Sequence, residues 1–243
     1  MFDYGLVDAH CHLADWRLQA ELKSLDQVAG NTGYISCALN SAELKWHLEN
    51  SDPRIKFVAG IHPLPQTEAA FTIEQVAELC AAQKISGIGE IGLDARAENY
   101  QSQKKILLQQ LELARDFELP VVLHVVKSYY QLAKLLQNNF PQVQGYLHGF
   151  HSSEAVFELF AKYDLAFSLG CRPPAQQVCR RILQRGHFLL ETDAPFQKPF
   201  EDKQAYNRLS NLTWVVKHLQ QNTKFSAAEI KSLQYKSLGK IFG

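Results

Sequence analysis

Short apolar runs alternate with longer amphipathic stretches along almost the whole chain, and no other feature of the sequence restricts its fold so sharply. A strand buried on both faces reads as a near-continuous apolar run, and strands separated by helical stretches pair in parallel through crossover connections. Eight such runs can be counted, at residues 6–10, 34–39, 57–61, 87–91, 121–125, 144–148, 165–169 and 187–191. The clearest helical stretch between them is 101–118, where Ile106, Leu107, Leu111 and Ala114 recur at helical spacing before Pro120. Eight strands with intervening helices predict an α/β fold, a closed (β/α)8 barrel of TIM type. The length of 243 residues is close to the roughly 250 that such a barrel uses as one domain. Beyond the eighth run, 203–221 and 226–241 read as two further helices, the second opened by Ser226 and Glu229 at capping-box spacing.

Composition excludes several classes of function. Lysine plus arginine equals aspartate plus glutamate at 25 each, so no global basic field holds nucleic acid and any phosphate recognition must be local. The five cysteines, Cys11, Cys37, Cys80, Cys171 and Cys179, are odd in number, scattered and never in a C-x-x-C pair. That pattern argues against a disulfide framework or a zinc knuckle and predicts a reducing, cytoplasmic location. No basic-then-apolar leader opens the sequence and no apolar run approaches the roughly 18 residues of a membrane span. Neither secretion nor membrane insertion is expected; no obligate protein partner is evident, and a monomer is the default.

Chemistry-bearing side chains recur at the carboxyl ends of the predicted strands: His10 and His12, His62, Glu90, His124, His148 and Asp193. A single histidine at a strand end is usually a structural residue. In a barrel, however, all strand ends converge on one mouth, and residues distant in sequence become one cluster. His10 and His12 lie two positions apart on an extended segment and point the same way. The candidate ligands His10, His12, Glu90, His124, His148 and Asp193 exceed what one open catalytic ion takes from protein, so two divalent ions are expected. Glu90 is the candidate bridge, because a carboxylate offers two oxygens whereas an imidazole nitrogen serves one ion. Asp193, held by Ala194-Pro195 where the strand cannot continue, is the candidate general base. His62, turned out of its strand by Pro63, is expected to contact substrate. Asp8 lies one step deeper than His10 and is expected to orient an imidazole. His47, His187 and His218 are expected to be structural or exposed, and Cys11 to point away from its histidine neighbours into the core.

With those residues in view, the chain resembles the TatD family of metal-dependent hydrolases, within the amidohydrolase-like barrels. The resemblance rests on Asp8-Ala9-His10-Cys11-His12, Gly60-Ile61-His62-Pro63, Gly89-Glu90-Ile91-Gly92-Leu93-Asp94, Pro120-Val121-Val122-Leu123-His124, Leu147-His148-Gly149-Phe150 and Glu191-Thr192-Asp193-Ala194-Pro195. It implies His10, His12 and Asp193 around one ion, His124 and His148 around the other, and Glu90 between them. It also implies phosphodiester hydrolysis, of DNA or of a smaller phosphate ester. The chain departs from the family pattern where substrate is concerned. Val125, Val126 and Lys127 follow His124 where the family usually has serine and arginine, so Lys127 is the candidate phosphate contact, as a point charge rather than a planar fork. Ala95, His151 and Ser237 are further departures.

Three readings follow. The leading one is a phosphodiesterase or deoxyribonuclease using a hydroxide activated by two divalent ions, with zinc, manganese, magnesium and cobalt all compatible with the ligand set. The second is an amidohydrolase-type enzyme cleaving a carboxylic ester, lactone or amide, since the same site polarises a carbonyl. The third is a metal-binding module without activity.

Overall fold

The computed structural model describes residues 5–28, 32–50, 52–64 and 70–243. Its strands are β1 (Leu6–Cys11), β2 (Thr32–Ala38), β3 (Ile55–Ala59), β4 (Ile88–Asp94), β5 (Val121–Val126), β6 (Gly145–Leu147), β7 (Leu165–Leu169) and β8 (Phe188–Leu190). They form one parallel sheet in sequential order, each hydrogen-bonded to the next. Among the described residues, seven helices alternate with them: α1 (Gln19–Val28), α2 (Ser41–Glu49), α3 (Ile73–Ala81), α4 (Tyr100–Asp116), α5 (Tyr129–Asn139), α6 (Glu154–Ala161) and α7 (Gln176–Arg185). After β8 come a short 3-10 turn at Leu209–Asn211, α8 (Leu212–Asn222) and α9 (Ala227–Phe242). This is the TIM-barrel fold that the alternation of apolar runs predicts.

The seam between β1 and β8 is closed beyond the regular part of β8. The Asp193 amide donates to the His10 carbonyl at 2.8 Å, and the His12 amide donates to the Ala194 carbonyl at 2.8 Å. A cluster of buried apolar side chains draws Val7 and Ala9, Ile35 and Cys37, Val58, Val122, Tyr146, Ala166 and Leu189 from seven strands. Contact among so many strands is possible only across the barrel interior, which is therefore packed rather than hollow. The larger cluster lies between sheet and helices, with Leu107 and Leu111 of α4, Leu132 and Leu136 of α5 and Ile182 of α7 fully buried.

Sheet closure requires close backbone approach at two glycines. A Cβ at Gly92, whose φ is +155°, would stand 1.9 Å from the His124 carbonyl oxygen; at Gly145, with φ +139°, it would stand 2.0 Å from that of Val121. Only glycine fits such contacts. Helix α9 begins with the capping box expected at Ser226, whose hydroxyl accepts from the Glu229 amide while Glu229 accepts from the Ser226 amide. The helix predicted at 203–221 begins only at residue 209. Residues 203–208 are instead held open by side chains such as Asn207, which donates to the Thr192 carbonyl at 2.6 Å. The run also lacks the helical apolar spacing that would oppose this.

Helix α4 pins two strand ends that carry chemistry. Buried Gln110 accepts from the Ile61 amide (2.6 Å) and donates to the Ile61 carbonyl (3.2 Å). Buried Gln103 likewise accepts from the Asp94 amide (2.8 Å) and donates to the Asp94 carbonyl (3.0 Å). Among the described residues, no helix is long and apolar enough to cross a membrane.

Candidate metal centre

Strands β1, β4 and β5 and the segments that follow β6 and β8 converge on one buried cluster. His10 Nε2 lies 3.7 Å from Glu90 Oε1 and 3.7 Å from Asp193 Oδ1, and His12 Nε2 lies 3.4 Å from the same Asp193 oxygen. On the other side of Glu90, Oε1 is 3.2 Å from His124 Nδ1 and 2.5 Å from His148 Nε2. His124 Nδ1 and His148 Nε2 are themselves 3.1 Å apart. One carboxylate thus faces both halves of the expected ligand set. Asp193 reaches the cluster from a left-handed backbone (φ +56°), a conformation a non-glycine residue adopts only when its surroundings fix it, here the hydrogen bond to the His10 carbonyl.

A divalent cation fits these residues. Both ring nitrogens of His10 are buried without a hydrogen-bond partner. An orphaned imidazole in a dry site is costly unless its lone pair has a charge to meet. Ligand atoms around an ion bound at about 2.0–2.2 Å lie roughly 3–3.6 Å from one another, the spacing of His12 with Asp193 and of His124 with Glu90 and His148. His10, His148 and Asp193 form one grouping of potential ligand atoms and His10, His12 and Glu90 another, each within 4.8 Å.

Burial would lower every histidine of the cluster, but the surrounding carboxylates hold His12, His124 and His148 above their ordinary range, and His10 is the one kept neutral. Burial and the neighbouring His148 lower the His10 pKa to about 3, so its ring is neutral and keeps a lone pair. Burial alone would raise Glu90 and Asp193. The imidazoles around them overcome it and hold both carboxyls below their ordinary range, well below for Glu90. Their closest ionisable partners are imidazoles, and among the described residues neither forms an ion pair with lysine or arginine.

Hydrogen bonds fix which nitrogen each histidine presents. His124 Nε2 meets Asp94 Oδ2 at 3.0 Å, and a carboxylate held well below its usual range accepts, so Nε2 carries a proton and Nδ1, facing Glu90, is the nitrogen that would give its lone pair to a cation. His62 is the opposite case. It also falls within 4.8 Å of Glu90 and His124, and its Nε2 is 3.8 Å from Glu90 Oε2. Its Nδ1, however, accepts from the Leu64 amide at 3.0 Å. A neutral ring with Nδ1 as acceptor carries its hydrogen on Nε2, so His62 presents a donor to the mouth and not a ligand. Lys127, exposed at the end of β5 with φ +53°, lines a groove of about 410 Å³ with His124, His148, His151 and Gln197.

Several residues in this network escaped the sequence reading. Glu191, fully buried, accepts from the Gly149 amide at 2.6 Å and stands 3.7 Å from His148 Nδ1. Asp94 holds His124 and is gripped in turn by Arg96 Nε at 2.9 Å from each oxygen. Gln197 donates to Asp193 Oδ2 at 2.6 Å. Asp8 does not touch an imidazole nitrogen; its oxygens accept from the Thr192 amide (2.9 Å), the Thr192 hydroxyl (2.6 Å) and the His10 amide (3.3 Å). It therefore supports the backbone of β1 and the segment after β8, and burial raises its pKa to about 8. His47 is structural: buried, stacked on Phe57 and 3.1 Å from the Ser36 hydroxyl, which accepts from the Leu13 amide next to His12. Cys11 lies in an apolar cluster with Leu13, Leu18 and Tyr34, away from the histidines.

A parallel barrel whose mouth gathers buried imidazoles around ionised carboxylates is the fold and site of a metal-dependent hydrolase. The chain belongs to the TatD related DNase family, whose model matches residues 7–243. Among its relatives, an uncharacterized metal-dependent hydrolase of Methanocaldococcus jannaschii is 26% identical over 100% of this chain and 98% of its own length. The human deoxyribonuclease TATDN3 is 24% identical over 98% of this chain and 94% of its own. A 3'-5' ssDNA/RNA exonuclease TatD of a Pantoea species is 29% identical over 82% and 81%. The crystal structure of the TatD homologue YjjV of Escherichia coli superposes with a TM-score of 0.86 at 25% identity, covering 98% of both chains.

Proposed function

We propose that the protein is a metal-dependent phosphodiesterase acting on nucleic acid or a smaller phosphate ester. The observation that carries this reading is the partnerless His10 ring between two ionised carboxylates, in a donor set wide enough for two ions with Glu90 between them. His10, His12 and Asp193 would hold one ion, His124 and His148 the other. Bound divalent ions would supply Lewis acidity toward the phosphoryl oxygens and ease deprotonation of an attacking water.

The chain's own residues do the rest. Asp193 takes the proton of the attacking water on its carboxylate, with Gln197 fixing Oδ2. His62, a donor through Nε2, hydrogen-bonds a substrate oxygen. Lys127, on the open side of the groove, offers a positive charge to a phosphate. Burial of the cluster excludes bulk water, and the fixed tautomer of His124 spares reorganisation during the reaction. The buried, unpaired cysteines agree with a reducing cytoplasm as the working compartment.

The test is a substrate panel with added manganese or magnesium: bis-p-nitrophenyl phosphate, a short single-stranded DNA and p-nitrophenyl acetate. Cleavage of the phosphodiesters, lost together with metal content in His10→Ala and Glu90→Gln, is the expected result. Cleavage of the acetate alone would overturn the reading in favour of an amidohydrolase-type enzyme.

A further inference from the structure

The mouth of the barrel carries aromatic rings that the fold does not use. Phe200 is 80% exposed, Trp16 79% and Phe196 44%. Two of them lie against a guanidinium: Arg172 is 4.8 Å from the Phe200 centroid and Arg17 is 5.3 Å from that of Phe196. Phe196 also packs edge-on against the ring of His12, at 5.2 Å, so this end of the array begins at the metal centre.

Phe200 stands at the tip of a tightly bonded turn. The Asp202 amide donates to the Pro199 carbonyl at 3.1 Å, and Lys198 Nζ donates to the carbonyls of Asp202, at 2.9 Å, and Gln204. The Asp202 carboxylate accepts from the Gln204 amide (2.8 Å) and from Asn211 (3.2 Å). A large ring is thereby held in water by backbone that cannot easily fold it away. Arg172 donates only through Nε, to the Lys198 carbonyl, and among the described residues it forms no ion pair with a carboxylate. Arg17, by contrast, is neutralised by Asp15 at 2.6 Å and contributes a planar surface rather than net charge.

Three residues lie between Phe196 and Phe200, and the four peptide steps cap the separation of their Cα atoms at about 14 Å. That distance is a few nucleotides of single strand, measured from the cluster that would hold the scissile phosphate. Exposed rings backed by guanidinium planes accept the face of an unpaired base, and do so with little regard to base identity.

Resting on the phosphodiesterase reading, we propose that Phe200 with Arg172, and Phe196 with Arg17 and Trp16, form a rim on which the unpaired bases flanking the scissile phosphodiester stack. The rim makes the loop after β8 the element that determines specificity.

The experiment measures binding of a fluorescein-labelled, phosphorothioate-linked oligothymidylate to the purified, metal-loaded protein by anisotropy, beside an abasic strand of equal length and charge. Phe200→Ala and Trp16→Ala are each expected to weaken binding of the thymidine strand by about five- to hundredfold and to leave the abasic strand unaffected. Arg172→Lys, which keeps the charge and loses the plane, is expected to weaken it as well. Both rings are exposed, so unchanged thermal midpoints and metal content will verify folding. Equal affinity for the two strands, or full affinity in Phe200→Ala, overturns the rim. A change in sedimentation rather than strand binding in Phe200→Ala overturns it too, and marks the ring as a contact between copies of the chain. Hydrolysis of bis-p-nitrophenyl phosphate by the unmodified enzyme reports separately on the underlying activity, so failure of the rim and failure of the phosphodiesterase reading are distinguishable.

Discussion

Replacing Asp94 by asparagine will test whether neighbouring groups present His124 as a ligand. In the native site Asp94 accepts from His124 Nε2 at 3.0 Å, which leaves Nδ1, 3.2 Å from Glu90 Oε1, as the nitrogen that would offer its lone pair to a bound ion. Asparagine has the same shape but only one acceptor. Arg96 grips both Asp94 oxygens, with its backbone amide and Nε at Oδ1 and its Nη2 at Oδ2, the oxygen that also faces His124. An asparagine supplies only one oxygen, and that neutral oxygen no longer holds the ring proton on Nε2 in preference to Nδ1. A proton on Nδ1 points where a cation should sit. Loss of such a supporting carboxylate costs about 10- to 100-fold in metal affinity, equivalent to about 1.4–2.7 kcal/mol. Competition with a chromophoric chelator will read this as weakened binding of part of the bound metal. The Arg96 side chain is 54% exposed, so loss of its ion pair lowers stability by no more than about 1 kcal/mol and folding will survive. Metal affinity within twofold of the native value would refute the tautomer argument.

Three other perturbations probe the scaffold. Burial lowers the His47 pKa to about 3, so between that value and about 6.5 the unfolded chain binds a proton that the folded chain refuses, and stability falls as pH falls through the window. Urea titrations near pH 7 and pH 4.5 will show His47→Phe losing roughly 2–3 kcal/mol less than the native protein between them; equal losses would sink the assignment. Gly92→Ala combines a positive φ with a Cβ 1.9 Å from the His124 carbonyl, and is expected to destabilise by about 2–6 kcal/mol, giving little soluble protein; a native-like thermal midpoint contradicts this. Gln110→Leu leaves the Ile61 amide and carbonyl unpaired and is expected to cost about 2–4 kcal/mol by chemical denaturation, with a cost below about 0.5 kcal/mol showing that the two bonds matter little.

The strands were legible because a parallel barrel buries both faces of each, and runs such as Val121-Val122-Leu123 admit little else. Their ends were less so. The apolar run predicts an end of β4 at Ile91, whereas the strand continues to Asp94, paired in register with Val126. Glu90, Gly92 and Asp94 recur with the period of two that sets one face of a strand, and that spacing was the available signal for Asp94. Glu191 offered no such signal. Its partner Gly149 is 42 residues away, and only the neighbourhood of the β6 and β8 ends brings the two together. Gln103 and Gln110 were hidden for a different reason: glutamines on an amphipathic helix read as solvent-facing, and only tertiary packing converts them into backbone clamps. His62 shows the limit of residue type itself, because the hydrogen bond at Nδ1 decides between ligand and donor.

The atoms that close the barrel and the atoms that build the site belong to the same two segments. Asp193 and His12 donate their amides across the β1–β8 seam, to His10 and Ala194, while their side chains meet within the cluster at 3.4 Å. Closing the seam therefore brings the carboxyls of Asp8, Glu191 and Asp193 into one buried region together with Glu90, all at or below 6% exposure. Burying like charges opposes closure, and burial raises the pKa of Asp8 and Glu191 in response. Two devices relieve the cost. The deepest carboxyl, Asp8, spends its oxygens on the Thr192 amide and hydroxyl, directly across the seam. The shallower pair, Glu90 and Asp193, faces imidazoles whose lone pairs a cation can share. Divalent ions at that point would stabilise the closed barrel as well as serve chemistry, since a group bound only by the folded chain shifts folding toward it, by about 2.7 kcal/mol at a hundredfold excess over its dissociation constant. Metal binding and seam closure are then one equilibrium, and chelation should loosen amide protection first at His12 and Asp193, ahead of the β2–β3 pair, whose strands carry none of the ligands.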